Sequence, residues 1–299
     1  MKQKKINLLF IFLFYIFSCG KKNNNEEETT QEVNTPKNCS DSSNICIKTK
    51  EDDDGVIRFF YSTKPSMMVA FKFDVPVSEN LEASHNLPIL TTITEEEETE
   101  FFTLRRKDPS KGASYSYSFS YYDGAYNPNH DDNVIYNLPF EGNKKFIVSQ
   151  GYGGKFSHTS AQSYYALDFN MKEGDQIHAA RDGIVIKVIS NFNEAGTTDD
   201  FKDKANVISI LHSDGTVANY AHLQQNGSKV KVGETVSAGD FIGISGNTGF
   251  SSGPHLHFSV QKINEKFEIV SIPTKFKVKD SEETQLQEGA SYEHPSSTS

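Results

Sequence analysis

His255 and His257 are the residues of this sequence best placed to do chemistry. They stand two apart in Gly253-Pro254-His255-Leu256-His257-Phe258, and residues two apart on a strand point to one face. Leu256 and Phe258 then turn to a core. Neutral imidazole is a good zinc ligand, and two side by side suit a metal site. The glycines before them, Gly246, Gly249 and Gly253, permit tight backbone conformations and an uncrowded cleft floor. By itself a two-histidine pattern leaves a metal site and an ordinary histidine pair both open.

Three further stretches carry groups of the right kind. Ser157-His158 precedes Tyr165-Ala166-Leu167-Asp168-Phe169, with ten residues from His158 to Asp168. Ala180-Arg181-Asp182-Gly183 leads into an apolar run and most simply forms the turn into a strand. Tyr220-Ala221-His222-Leu223 supplies one more imidazole. Tyr152 and Asn219 are near enough in sequence to these stretches to reach a shared site. His212, in Leu-His-Ser-Asp-Gly, reads as a structural residue at a strand end, and His85 and His130 as solvated turn residues.

The elements that must position these groups are strands. Gly183–Ile189, Asn206–Leu211, Lys229–Val236 and Phe241–Ser245 fit β-structure, and VKVGETVSAG has the spacing of a tight hairpin. Upstream, Ile57–Ser62, Met68–Val75, Pro88–Ile93 and Ser114–Tyr122 alternate aromatic or β-branched residues with polar ones. No helical period stands out. The expectation is an all-β protein with a small β-sandwich-like domain over 47–133 and a second domain over 134–277. The Ser-, Glu- and Gln-rich segment 278–299 is expected to be a disordered tail.

The chain of 299 residues has a formal net charge of -10 and no basic stripe, which excludes a nucleic-acid partner on electrostatic grounds. Lys2, Lys4 and Lys5 precede an apolar run from Ile6 to Phe17. That run is shorter than the roughly 20 residues a membrane span takes, so 1–18 reads as a secretory signal. It ends Ile16-Phe17-Ser18-Cys19-Gly20, which resembles a bacterial lipobox and implies lipidation of Cys19. Gly20 is not the Asp associated with inner-membrane retention, so the expected place is the periplasmic face of the outer membrane. Two cysteines remain, Cys39 and Cys46, and in an oxidising compartment they are expected to form a disulfide. So short a loop contributes about 2.5 kcal/mol by chain entropy. Residues 19–46 thus comprise the lipidated Cys, this loop and, from Lys21 to Asn38, a polar tether with a mean reach of roughly 25 Å.

Taken together, His158, Asp168, His222, His255 and His257 resemble the site of the lysostaphin-type (LytM-like) peptidoglycan zinc metalloendopeptidases. The resemblance covers about 135–275, starting at Leu138-Pro139-Phe140 and Gln150-Gly151-Tyr152. It implies a two-sheet antiparallel β domain of the duplicated hybrid motif type, and one Zn2+ per chain held by His158, Asp168 and His257. His222 and His255 match the family's two additional active-site histidines. His178 falls where the family has an apolar residue and is expected to be peripheral. In better-known members the first His and the Asp lie four residues apart; the gap of ten here looks like a variant with a loop between the ligands.

Two His and one carboxylate leave a fourth zinc position open for water, as in catalytic sites. The implied activity is hydrolysis of peptide cross-links between peptidoglycan stem peptides, with the protein held to a membrane by its lipid. The alternative is a latent or non-catalytic lipoprotein that regulates other wall hydrolases; presence of all five residues favours the enzyme. A phosphocarrier or biotinyl-type carrier is disfavoured by the export signal and by the lack of a Lys at the hairpin tip. Oligomeric state is left open.

Overall fold

The computed structural model describes residues 45–126, 131–142, 144–279 and 281–295. The signal, Cys19, the tether, Cys39 and His130 lie outside them; Cys46 is disulfide-bonded. Apart from one 3-10 turn at Asp199–Phe201, the described residues form strands, turns and loops. No helix among them is long and apolar enough to cross a membrane.

The chain divides between Tyr122 and Asp123 into two units. In the first, the strands are β1 (Ile45–Glu51), β2 (Val56–Thr63), β3 (Val69–Glu79), β4 (Leu81–Ala83), β5 (Ile89–Ile93), β6 (Thr99–Arg106) and β7 (Ser114–Asp123). They make two antiparallel sheets, β1-β2-β6-β4 and β5-β3-β7. Phe59 of β2 meets Phe73 of β3 at 5.3 Å and Tyr117 of β7 at 5.3 Å, both edge to face. Rings from both sheets therefore share one core, in the geometry aromatic quadrupoles prefer. The expected boundary at 133 is late. Ala125 N–H donates to Gly215 O and Tyr126 bridges to Ile263, so this segment already belongs to the second unit.

The second unit continues with β8 (Ile135–Asn137), β9 (Lys145–Gln150), β10 (Leu167–Phe169), β11 (Gln176–His178), β12 (Gly183–Ile189), β13 (Ala195–Gly196), β14 (Val207–Leu211) and β15 (Val217–Ala221). After these come β16 (Thr235–Val236), β17 (Phe241–Ile244), β18 (Gly249–Phe250), β19 (Leu256–Ile263), β20 (Ile269–Ile272), β21 (Lys275–Val278), β22 (Ser281–Thr284) and β23 (Ser291–Glu293). The main sheet runs β16-β12-β14-β15-β19-β10-β9-β23, with β20 also on β19. Leu256, Phe258 and Val260 of β19 are buried with Tyr220, Phe169, Phe140 and Phe276. Because strand side chains alternate, that burial turns His255 and His257 to the opposite face.

Two expectations about the second unit are corrected. Only Thr235–Val236 of the segment 229–236 is strand. Residues 231–234 form a turn, closed by Glu234 N–H to Lys231 O and by Gly233 N–H to Val185 O, so Val-x-Val here marks a loop against β12 rather than one arm of a hairpin. The segment 278–299 is not a disordered tail as far as residue 295. Its β23 pairs with β9 (Ser291 opposite Ile147, Glu293 opposite Lys145), Leu286 is buried, and Glu288 accepts from Gly151 N–H at 3.1 Å. An outer strand with unpaired N–H and C=O groups recruits a polar segment by backbone pairing, which needs no apolar pattern.

Candidate metal centre

One row across the main sheet builds the centre. Asp168 on β10 sits directly opposite His257 on β19, and His257 directly opposite Ala221 on β15. On its other side Asp168 faces Gln150 on β9. Directly opposed residues present their side chains to the same face within reach of one another. His158 comes from the loop between β9 and β10. Its N–H is tied to Gly154 O, and its ring is fully buried.

The donor atoms converge. His158 Nε2 lies 3.1 Å from Asp168 Oδ1, His257 Nδ1 lies 2.9 Å from the same oxygen, and the two imidazole nitrogens are 3.3 Å apart. Among the described residues these three form the group of ligand-type side chains able to share an ion. A tetrahedral zinc with bonds near 2.0–2.1 Å would set its donors about 3.3 Å apart, so the residues fit the ion with little adjustment. The tautomer fits as well. His158 Nδ1 is 2.8 Å from Gly151 O, and a carbonyl only accepts, so the proton sits on Nδ1 and Nε2 offers its lone pair. Burial alone would push the Asp168 carboxyl up, but the imidazoles of His158 and His257 against it outweigh that and hold the group ionised far below the usual carboxylate range. An ionised, buried carboxylate between two imidazoles is a ready cation ligand.

His222 and His255 stand beside this group. Their rings are 4.5 Å apart, His222 is 5.8 Å from the His257 ring, and His255 Nε2 is 3.8 Å from Asp168 Oδ1. Each has its Nδ1 committed: His222 donates to Thr248 O at 2.6 Å and His255 to Gly253 O at 2.8 Å. Nε2 is then the nitrogen left for chemistry in both. Burial, with the nearby His255 and His257, pushes His222 down to about 3, so its ring is neutral. His222 also holds a left-handed backbone, φ 64°, a conformation a side-chain-bearing residue keeps only when its surroundings impose it. Here Thr248 Oγ1 and Asn206 Nδ2 both donate to Leu223 O, at 2.8 and 3.1 Å, and Asn206 N–H donates to Thr248 Oγ1.

A cleft of about 300 Å³ opens over the centre, with Gln150, Asp168 and His255 among its walls. Phe156 and Phe250 line one side as a stacked pair, rings 5.5 Å apart, and Phe156 is largely exposed. Neither phenylalanine, nor Gln150, Thr248 or Asn206, carries a chemical signature in the sequence. Tyr152 and Asn219 are engaged elsewhere: the Tyr152 hydroxyl donates to Thr274 O at 3.0 Å, and Asn219 Oδ1 accepts from Ser209. His178 donates from Nδ1 to Gly239 O, away from the centre, and His85 is exposed. Arg181 pairs with Asp214 at 2.7 Å.

Residues 162–269 match the model of peptidase family M23. This part of the chain is an M23 peptidase domain. The match begins four residues after His158, which lies outside it. The chain is 36% identical over 118 residues to glycyl-glycine endopeptidase ALE-1 of Staphylococcus capitis, covering 39% of this chain and 29% of that protein. It is 35% identical over 114 residues to peptidoglycan DD-endopeptidase ShyC of Vibrio cholerae, covering 38% of this chain and 24% of that one. Among solved structures, the catalytic domain of lysostaphin from Staphylococcus simulans is 31% identical, with 39% of this chain and 78% of that chain covered and a TM-score of 0.29. The chain thus spans less than a third of the length of these curated relatives.

His212 shows what a buried imidazole does here when it serves the fold alone. It is 1% exposed, donates from Nδ1 to Asp182 O at 2.8 Å, and is pushed by burial down to about 4. Unfolded, the ring returns to its ordinary value near 6.5, so between pH 6.5 and 4 the unfolded chain binds the extra proton. The contribution of neutral His212 is present in full above pH 6.5 and is lost as pH falls toward 4, to a total of roughly 3 kcal/mol. Denaturant titrations of wild type and His212→Gln should therefore converge in stability as pH drops from 7 to 4. Parallel curves would contradict this assignment.

Proposed function

We propose that this chain is a zinc-dependent endopeptidase that hydrolyses peptide cross-links of bacterial peptidoglycan. The observation that carries the reading is the convergence of His158, Asp168 and His257 within a zinc-sized triangle, with the free nitrogens of His222 and His255 beside it. The similarity to proteins named glycyl-glycine endopeptidase and peptidoglycan DD-endopeptidase supports it. When bound by these three residues, zinc would polarise the scissile carbonyl and lower the pKa of its water to about 7.

The chain's own groups complete the reaction. With Nδ1 of each ring locked on a carbonyl, His222 and His255 handle protons through Nε2 alone. One takes a proton from the attacking water at Nε2 and passes it toward the leaving amine, and the other, when its Nε2 carries a proton, donates to the carbonyl oxygen on which charge develops. Among the described residues lining the cleft Asp168 is the one carboxylate, so they hold no pair of the kind a glycosidase places across a sugar. The bond cut is therefore a peptide bond of the stem, and a lipid-anchored enzyme of this type would meet directly cross-linked stems, with a D-Ala carbonyl at the scissile bond.

Digestion of purified, directly cross-linked wall tests this. With zinc, the protein should convert dimeric muropeptides to monomers, read by mass, and a chelator should stop the conversion. New reducing sugar ends, preference for pentaglycine-bridged wall, or binding with no product released would each overturn the proposed activity.

A further inference from the structure

Gln150 is held more tightly than a half-exposed strand residue needs to be. Its Nε2 donates to Asp168 Oδ2 at 2.9 Å and to Ser157 Oγ at 2.7 Å, while its Oε1 accepts from Phe156 N–H at 3.3 Å. These partners fix the amide orientation: a backbone N–H can only donate, and an ionised carboxylate can only accept. Both N–H groups and the carbonyl of the amide are thereby used. The two oxygens of Asp168 are divided, Oδ1 to the imidazoles of His158 and His257 and Oδ2 to Gln150.

The backbone keeps space for this arrangement. Gln150 and Asp168 are direct cross-strand partners, so the distance between them is set by the sheet and not by a flexible loop. A Cβ at Gly154 would come within 2.3 Å of Gln150 Cγ and 2.9 Å of its Oε1, so only glycine there leaves the side chain where it is. The same amide also ties Phe156 and Ser157, the two residues before His158, to the sheet. One side chain therefore links the strand ligand to the loop ligand.

We propose that Gln150 is a positioning residue for the metal ligand Asp168, holding Oδ2 so that Oδ1 alone is presented to the ion. The inference rests on the reading of His158, Asp168 and His257 as a metal centre. Residues behind a metal ligand that fix its orientation typically change metal affinity 10- to 100-fold when removed. Gln150→Met keeps the length and volume of the side chain without its donors. Gly154→Ala keeps the amide but drives it from its place.

Zinc affinity of the purified protein, measured by competition with a chromogenic chelator, should fall about 10- to 100-fold in Gln150→Met and fall in the same direction in Gly154→Ala. Cobalt substituted into each protein gives the second readout. With Oδ2 free to reach the ion, the visible absorption of Gln150→Met should change in shape and intensity, which a loss of fold stability alone does not produce. Affinity within twofold of wild type together with an unchanged cobalt spectrum would overturn the proposal. So would metal-free Gln150→Met that fails to fold, since the residue would then serve the fold. Failure of the wild-type protein to take up zinc at all would instead overturn the metal-centre reading, and this inference with it.

Discussion

His257→Ala should abolish tight zinc binding and, with it, all release of muropeptides. His257 Nδ1 is one corner of the donor triangle, and its removal leaves His158 and Asp168 as a two-ligand site with Asp168 still buried and ionised. Asp168→Ala should do the same and also leave His158 and His257 without the carboxylate that stands against both rings. His255→Ala is the informative contrast. Its Nε2 is 3.8 Å from Asp168 Oδ1 and its Nδ1 is spent on Gly253 O, so metal should stay while turnover falls by about 10²- to 10⁴-fold, the usual worth of a positioned acid or base. Metal content after dialysis and turnover on cross-linked wall separate the two classes. Stoichiometric zinc in His257→Ala, or unchanged turnover in His255→Ala, would sink the assignment of roles.

Gly246→Ala should cost both fold and function, although Gly246 has no side chain to offer the site. A Cβ there would lie 2.4 Å from Gln224 N and 2.7 Å from Leu223 C, and neither backbone atom can rotate away. Leu223 immediately follows His222, and Gly246 itself forms a bridge with His255. Relief of the clash therefore separates the two histidines whose rings now lie 4.5 Å apart. Overpacking of this kind costs about 1–3 kcal/mol of stability. A displacement near 1 Å at reacting groups can lower turnover about 10²-fold. Zinc affinity should change far less, because none of the three ligands sits on this loop. The thermal midpoint, zinc affinity and turnover measured together check the claim; full turnover with a lowered midpoint would refute the coupling between this loop and the site.

The sequence by itself determined the β class and the shared face of His255 and His257, for a local reason, while His158, Asp168 and His222 were named only through the resemblance of their motifs. Strand side chains alternate with period two, so His255-Leu256-His257-Phe258 states which residues face the core and which face the cleft before any partner strand is known. Gly183–Ile189 was legible for the same reason and is β12. Thr99–Arg106 lies directly behind the acidic run Glu95–Glu98, which hides the alternation of its Phe102 and Leu104. The segment 281–295 is ordered through backbone pairing and bonds such as Glu288 to Gly151, and polar composition carries no trace of those.

Tertiary structure alone decided which neighbours hold the site in shape. Gln150 reads as an ordinary polar strand residue until the register puts it opposite Asp168, which in turn stands opposite His257. Nothing local in Tyr-Ala-His-Leu announces that His222 must take a left-handed backbone. That conformation is enforced by Thr248 and Asn206, more than a dozen residues away on either side. The candidate ligands were thus legible from residue type and motif resemblance, whereas their orientation depends on hydrogen bonds between strands that meet only when the sheet closes.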